Sequence, residues 1–145
     1  MSAKRKKTAK SQIVNETVAE KITDAEWRVM HVVWNCGSVT ANEVIDAVAP
    51  ETGWSPNTVR TLLIRLTEKG ILHVEKDRGK GRESQICHYT PLYTREQCTS
   101  VQGQSFLERV FQGDAKRLLV HFVKDAGLTP EQIAELRDQL DRFSK

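Results

Sequence analysis

The chain has 145 residues, 39% apolar and 28% charged, which excludes a fully disordered polymer and sets a size of one domain or a small domain with an appendage. No run approaches the roughly 20 apolar residues of a membrane span, and Lys4-Arg5-Lys6-Lys7 leads into no apolar signal core, so no membrane insertion and a cytoplasmic location are expected. The net charge of +3 is unevenly placed: residues 1–22 hold six Lys or Arg against two Glu, and Trp54–Arg82 holds seven against three acids, while 94–145 balances at eight and eight. Charge gathered in a tail and one internal stretch suits a footprint on a polyanion.

After a basic, flexible tail (residues 1–21), helix starts are legible. Ile22-Thr23-Asp24-Ala25-Glu26-Trp27 places Thr at N-cap, Glu at N3 and an apolar pair at the staple positions. Val39-Thr40-Ala41-Asn42-Glu43-Val44 repeats the pattern. In Trp54-Ser55-Pro56-Asn57-Thr58-Val59, Ser55 caps and Pro56 takes the first helical position, where a missing N–H costs nothing. Apolar spacing agrees: Trp27, Met30, Trp34; Val44, Ile45, Val48; and Val59, Leu62, Leu63, Leu66. Lys69-Gly70 supplies a last-turn cation and a left-handed stop for the third helix, predicted over 55–69.

The period then changes. Ile71–Asp77 and Ser84–Thr90 are rich in β-formers and flank Arg78-Gly79-Lys80-Gly81-Arg82, which predicts a hairpin with a basic tip; Pro91 limits its second strand. Three helices and a hairpin within residues 22–93 predict a winged helix-turn-helix domain.

Residues 94–145 look helical, with capping boxes at Thr94 and Thr129 and apolar stripes Leu107, Val110, Phe111; Leu118, Leu119, Phe122, Val123; and Ile133, Leu136, Leu140, Phe143. A segment this short buries too little surface to stand alone. Since the winged domain has its own three-helix core, the segment is read as a dimerisation arm, and the fold class as mainly α.

If Val59, Leu62, Leu63 and Leu66 face the core, then Asn57, Arg60, Thr61, Ile64, Arg65 and Glu68 lie outward or flanking, with Thr58 at the N-terminal edge. A major groove admits one α-helix: Arg pairs with guanine O6 and N7, Asn with adenine, Thr with several bases, and Ile64 can meet a thymine methyl. Ser55 and the first-turn amides suit a phosphate, and Arg78, Lys80 and Arg82 suit the DNA backbone or minor groove.

The residues Ile22–Trp27, Met30, Trp34, Trp54-Ser55-Pro56-Asn57-Thr58-Val59-Arg60-Thr61-Leu62-Leu63, Arg65-Leu66 and Lys69-Gly70 closely resemble the BlaI/MecI/CopY family of bacterial penicillinase-type repressors. The resemblance runs from Ile22 to the end of the chain. It implies a homodimeric repressor on a dyad-symmetric operator of double-stranded DNA, with Thr58, Arg60, Thr61 and Arg65 at the DNA. It also implies relief by cleavage in the arm, through a membrane sensor protease or a downstream protease, at a bond matching Ser105-Phe106. Ser105 stands where that pattern has Asn. Copper-responsive members carry cysteine pairs near the C-terminus, and none follows Cys98 here.

Other chemistry is thin. Trp27, Trp34 and Trp54 sit at staple and core positions and read as structural. Cys36, Cys87 and Cys98 show no CxxC spacing, and strand alternation sends Cys87 and His88 to opposite faces, so no metal site is expected. Cys98 is placed toward the dimer axis, and His121 as a partly buried interface residue. No Gly-rich phosphate loop, HExxH or nucleophile context occurs, so neither an enzyme nor a cofactor is expected. The alternatives are a winged-helix adaptor that binds protein, and a metal- or redox-sensing repressor.

Overall fold

The computed structural model describes residues 22–77 and 86–144. The tail 1–21 and the tip residues Arg78, Lys80 and Arg82 lie outside them. Among the described residues the order is α1 (Asp24–Cys36), β1 (Val39–Thr40), α2 (Ala41–Thr52), α3 (Pro56–Glu68), β2 (Leu72–Lys76), β3 (Cys87–Pro91), α4 (Arg95–Phe111), α5 (Ala115–Asp125) and α6 (Pro130–Phe143).

The anticipated caps form. Thr23 Oγ1 accepts from the Glu26 N–H (3.2 Å) while Glu26 Oε1 accepts from the Thr23 N–H (2.8 Å). Thr40 with Glu43, Thr94 with Gln97 and Thr129 with Gln132 reciprocate in the same way. Each pair satisfies two donors that a helix start otherwise leaves open. At the end of α2, Gly53 takes φ 72° in the left-handed region, which a side chain would disfavour.

The hairpin has a third strand that alternation in the sequence did not signal. β1 pairs antiparallel with β3 (Val39 with Tyr89), and β3 pairs with β2 from Leu72–Pro91 to Lys76–Cys87, giving the order β1-β3-β2. Two residues are too few for a period, so β1 is visible only through its partner. Pro91 is the last paired residue of β3, as its lack of an N–H requires.

The chain divides into two compact units, Met1–Gln102 and Gly103–Lys145. In the first, Val29, Met30 and Val33 of α1 pack with Val44 and Val48 of α2, Val59, Leu62, Leu63 and Leu66 of α3, and Val39, Ile71 and Leu72. Each such side chain, taken out of water, contributes about 1.5–3 kcal/mol. The first unit extends past residue 93 because α4 begins inside it: Cys98 is buried in this core and Val101 packs against it. Cys98 is therefore a core residue of the first unit. The half-buried tryptophans are structural, and Trp34 Nε1 donates to the Tyr93 carbonyl at 2.9 Å.

In the second unit, Phe106 stacks on Phe122 (6.1 Å between centroids, 12° between planes) and lies 5.9 Å from Phe111, itself buried. The α4–α5 turn passes through Gln112 at φ 53° and Gly113 at φ 83°, so a side-chain-bearing residue is held in a disfavoured region.

Candidate nucleic-acid interface

The third helix separates its faces cleanly. Val59, Leu62, Leu63 and Leu66 are buried; Asn57, Thr58, Arg60, Thr61, Ile64, Arg65 and Glu68 are exposed. Asn57, Thr58, Thr61 and Arg65 line one shallow depression, with Leu62 at its floor. Among the described residues neither Arg60 nor Arg65 is drawn into an ion pair. Their guanidinium donors therefore remain available to an external acceptor. Ile64 stands exposed between these polar groups.

Local hydrogen bonds narrow what the first turns can offer. Ser55 Oγ accepts from the Thr58 N–H (3.2 Å) and lies 3.1 Å from Thr58 Oγ1, so one of the two hydroxyls donates to the other. Pro56 has no N–H. Of the first-turn amides, the Asn57 N–H is the one left without a partner among the described residues. The phosphate-holding capacity expected of this helix end thus reduces to one backbone amide and one hydroxyl proton. Thr61 Oγ1 donates to the Asn57 carbonyl at 2.9 Å. Its single donor is used, and toward a ligand it presents only an acceptor and a methyl.

The far end of α3 is anchored by a pair that sequence reasoning did not find. Glu26, 1% exposed, accepts at Oε1 from Lys69 Nζ at 2.6 Å, 43 positions along the chain. Glu26 reads in the sequence as half of a capping box, a role normally filled at the surface, and nothing local marks Lys69 as its partner. Glu26 Oε2 is buried without a hydrogen-bond partner among the described residues. The carboxylate therefore depends on Lys69 for its compensation. Arg95 is a second long-range tie: its guanidinium donates to Asn35 Oδ1 at 2.6 Å and lies 5.7 Å from the Trp34 ring.

The base of the wing is polar. His73 Nε2 lies 3.3 Å from Glu75 Oε1, and His88 Nε2 lies 3.7 Å from Asp77 Oδ2. Among the described residues no three His, Cys, Asp or Glu side chains gather closely enough to hold a metal ion. Cys36 is exposed and Cys87 half-buried, and all three cysteines are free. Burial pushes the Cys98 thiol above its ordinary 9.0. Tyr89 is likewise raised above 10.0, first by burial and then by the neighbouring Cys87.

The residues expected in the arm are partly open. Val110, Leu119, Phe122 and Leu140 are exposed, Leu107, Leu118, Val123, Ile133 and Leu136 are half-buried, and Phe111 is buried. His121 is exposed in the single chain, 3.1 Å from Asp125 Oδ2. Ser105 and Phe106 lie inside α4, both half-buried. No helix among the described residues is long and apolar enough to cross a membrane.

Residues 22–142 match the family model described as Penicillinase repressor. The chain is 35% identical over 121 residues to the penicillinase repressor of Bacillus licheniformis, across 83% of this chain and 90% of that protein. It is 31% identical over 122 residues to the methicillin resistance regulatory protein MecI of Staphylococcus aureus strain N315, across 84% and 94%. A solution structure of monomeric B. licheniformis BlaI in complex with the blaP half-operator aligns at 39% identity over 53% of this chain and 87% of that one, with a TM-score of 0.43.

Proposed function

The chain belongs to the penicillinase repressor family, and from that premise we propose that it is a sequence-specific, DNA-binding transcriptional repressor acting as a homodimer on a dyad-symmetric operator. The observation that carries this is the outward face of α3, where Asn57, Arg60, Thr61, Ile64 and Arg65 stand exposed over a fully apolar core face. In this reading α3 enters the major groove and its first turns address base edges. Ser55, Thr58 and the Asn57 amide take a phosphate, and the basic tip Arg78–Arg82 follows the backbone.

Dimerisation falls to the second unit. A 43-residue segment with its apolar stripes partly uncovered gains most by pairing with another copy, and a twofold assembly then matches a twofold operator. Relief of repression by proteolysis at Ser105-Phe106 is part of the same reading, with a consequence set by geometry. Proteases cut extended chain, while this bond lies in α4 with Phe106 against Phe111 and Phe122. Cleavage would therefore follow local opening of the helix, and its rate would track that opening.

The test is fluorescence anisotropy of the purified protein on a labelled duplex from its own upstream DNA, against a scrambled competitor, at two salt concentrations. A dimer making about eight phosphate contacts should show a log–log salt slope near −7. Selective, salt-sensitive binding supports the proposal. A dimer that ignores DNA at low salt would refute it and leave a protein-binding adaptor.

A further inference from the structure

The outermost line of α3 is not its basic one. At about 100° per residue, the positions opposite the buried Val59, Leu62, Leu63 and Leu66 are Asn57, Thr61, Ile64 and Glu68, all exposed, with Arg60 and Arg65 on the two flanks. Ile64 is the apolar member of that line, and 51% of its surface is open. A lone exposed apolar residue is ordinary on a protein surface; the neighbours distinguish this one. Asn57, Arg60, Thr61 and Arg65 are all residue types that bond base edges or phosphates, so whatever meets this face meets Ile64 in its middle.

The major-groove edges of DNA offer one apolar group, the C5-methyl of thymine. We propose that Ile64 is a specificity-determining residue that reads a thymine methyl, once in each half-site; this rests on the repressor reading above. Ile is held to one χ1 rotamer in a helix, so it presents a fixed apolar surface with little rotamer freedom to lose. Thr61, one turn away, has given its only proton to the Asn57 carbonyl and has none to offer a thymine O4. Asn57 and Ile64 are seven residues apart, or about 10 Å along the helix, so the two meet different bases.

The experiment starts from the protein's preferred duplex, selected with the full-length chain from a random pool. Each thymine is then replaced singly by deoxyuridine, which removes the methyl and keeps every hydrogen bond. We expect one thymine per half-site at which the change weakens binding about fourfold, the loss that follows from uncovering one methyl. In Ile64→Ala the thymine and uracil duplexes should bind alike at that position, and in Ile64→Val the discrimination should fall between the two. A flat uracil scan on a selective protein overturns the inference while leaving the repressor reading intact. Discrimination that persists in Ile64→Ala also overturns it, and assigns the methyl to Thr58 or Thr61. If the pool yields no preferred sequence, the repressor reading fails and takes this inference with it.

Discussion

Lys69→Met should destabilise the first unit more than Glu26→Gln, although the two residues form one pair. The Lys69 side chain is 27% exposed and Glu26 is 1% exposed, so each substitution strands a partner of a different kind. Met keeps the aliphatic stem but leaves a buried carboxylate whose Oε2 already lacks a partner. Removing one member of a buried pair costs about 3–5 kcal/mol, and water reaching in along the vacated side reduces that to about 2–3 kcal/mol. Gln at position 26 still accepts from the Thr23 N–H and still serves a capping box. The ammonium it leaves behind can turn to water, so the cost falls to about 1 kcal/mol. The double variant should cost less than the two singles together, because the second change removes the charge the first had stranded. The assay is urea unfolding followed by tryptophan fluorescence, and Trp27, Trp34 and Trp54 all lie in the first unit, so the signal excludes the arm. Equal losses from the two single variants, or strict additivity in the double, would refute the view that a desolvated carboxylate governs this contact.

Arg60→Ala should weaken binding to the preferred duplex by about 1–3 kcal/mol and leave random DNA nearly unaffected, as base reading requires; an equal loss on both would make Arg60 a phosphate contact. Leu119→Asp should halve the sedimenting mass by bringing a charge into an apolar interface, and an unchanged mass would refute the assignment of the arm. Iodoacetamide with mass spectrometry should label exposed Cys36 first and buried Cys98 last. Cys98 and Tyr89 are both held protonated beyond their ordinary 9.0 and 10.0. Their contribution to stability is whole below those values and is lost as pH rises through the folded ones. Alkaline unfolding of Cys98→Ala, followed by tryptophan fluorescence, should therefore begin later than that of the parent relative to their neutral stabilities.

Local chemistry made the helices of this chain legible. Thr23, Thr40, Ser55, Thr94 and Thr129 each cap in the structure as their neighbours three residues on suggest, because a capping bond is settled within one turn. The faces of α3 were legible for the same reason, since a 3.6-residue period fixes which side chains share a core. Contacts set by tertiary packing were not. Glu26 and Lys69, Trp34 and Tyr93, and Arg95 and Asn35 are separated by 43, 59 and 60 positions, and no residue in these pairs advertises its partner. Cys98 shows how this misleads. It stands in a polar stretch with no apolar period around it, yet the first turns of α4 bring it into the core of the first unit. The same limit applies at Ser55, whose hydroxyl reads as an independent phosphate ligand until its bonds to Thr58 are known.

Where the first unit ends can be tested by shortening the chain at two points. A fragment ending at residue 93 keeps the sheet, α3 and the carbonyl that accepts from Trp34, but loses Cys98, Val101 and Arg95. Cys98 is fully buried and Val101 partly so, and Arg95 contributes its bond to Asn35 and its position over Trp34. Taken with the apolar area uncovered beneath them, these amount to about 2–3 kcal/mol. A fragment ending at residue 102 keeps all of these and sheds only the second unit. It should therefore unfold close to the full chain's urea midpoint, sediment as a monomer and bind operator DNA weakly, with about half the salt slope of the dimer. The shorter fragment should be the less stable by that margin. If the two fragments unfold together, α4 contributes nothing to the first core and belongs wholly to the arm. A dimer from the 102-residue fragment would instead put the self-association surface in the winged unit.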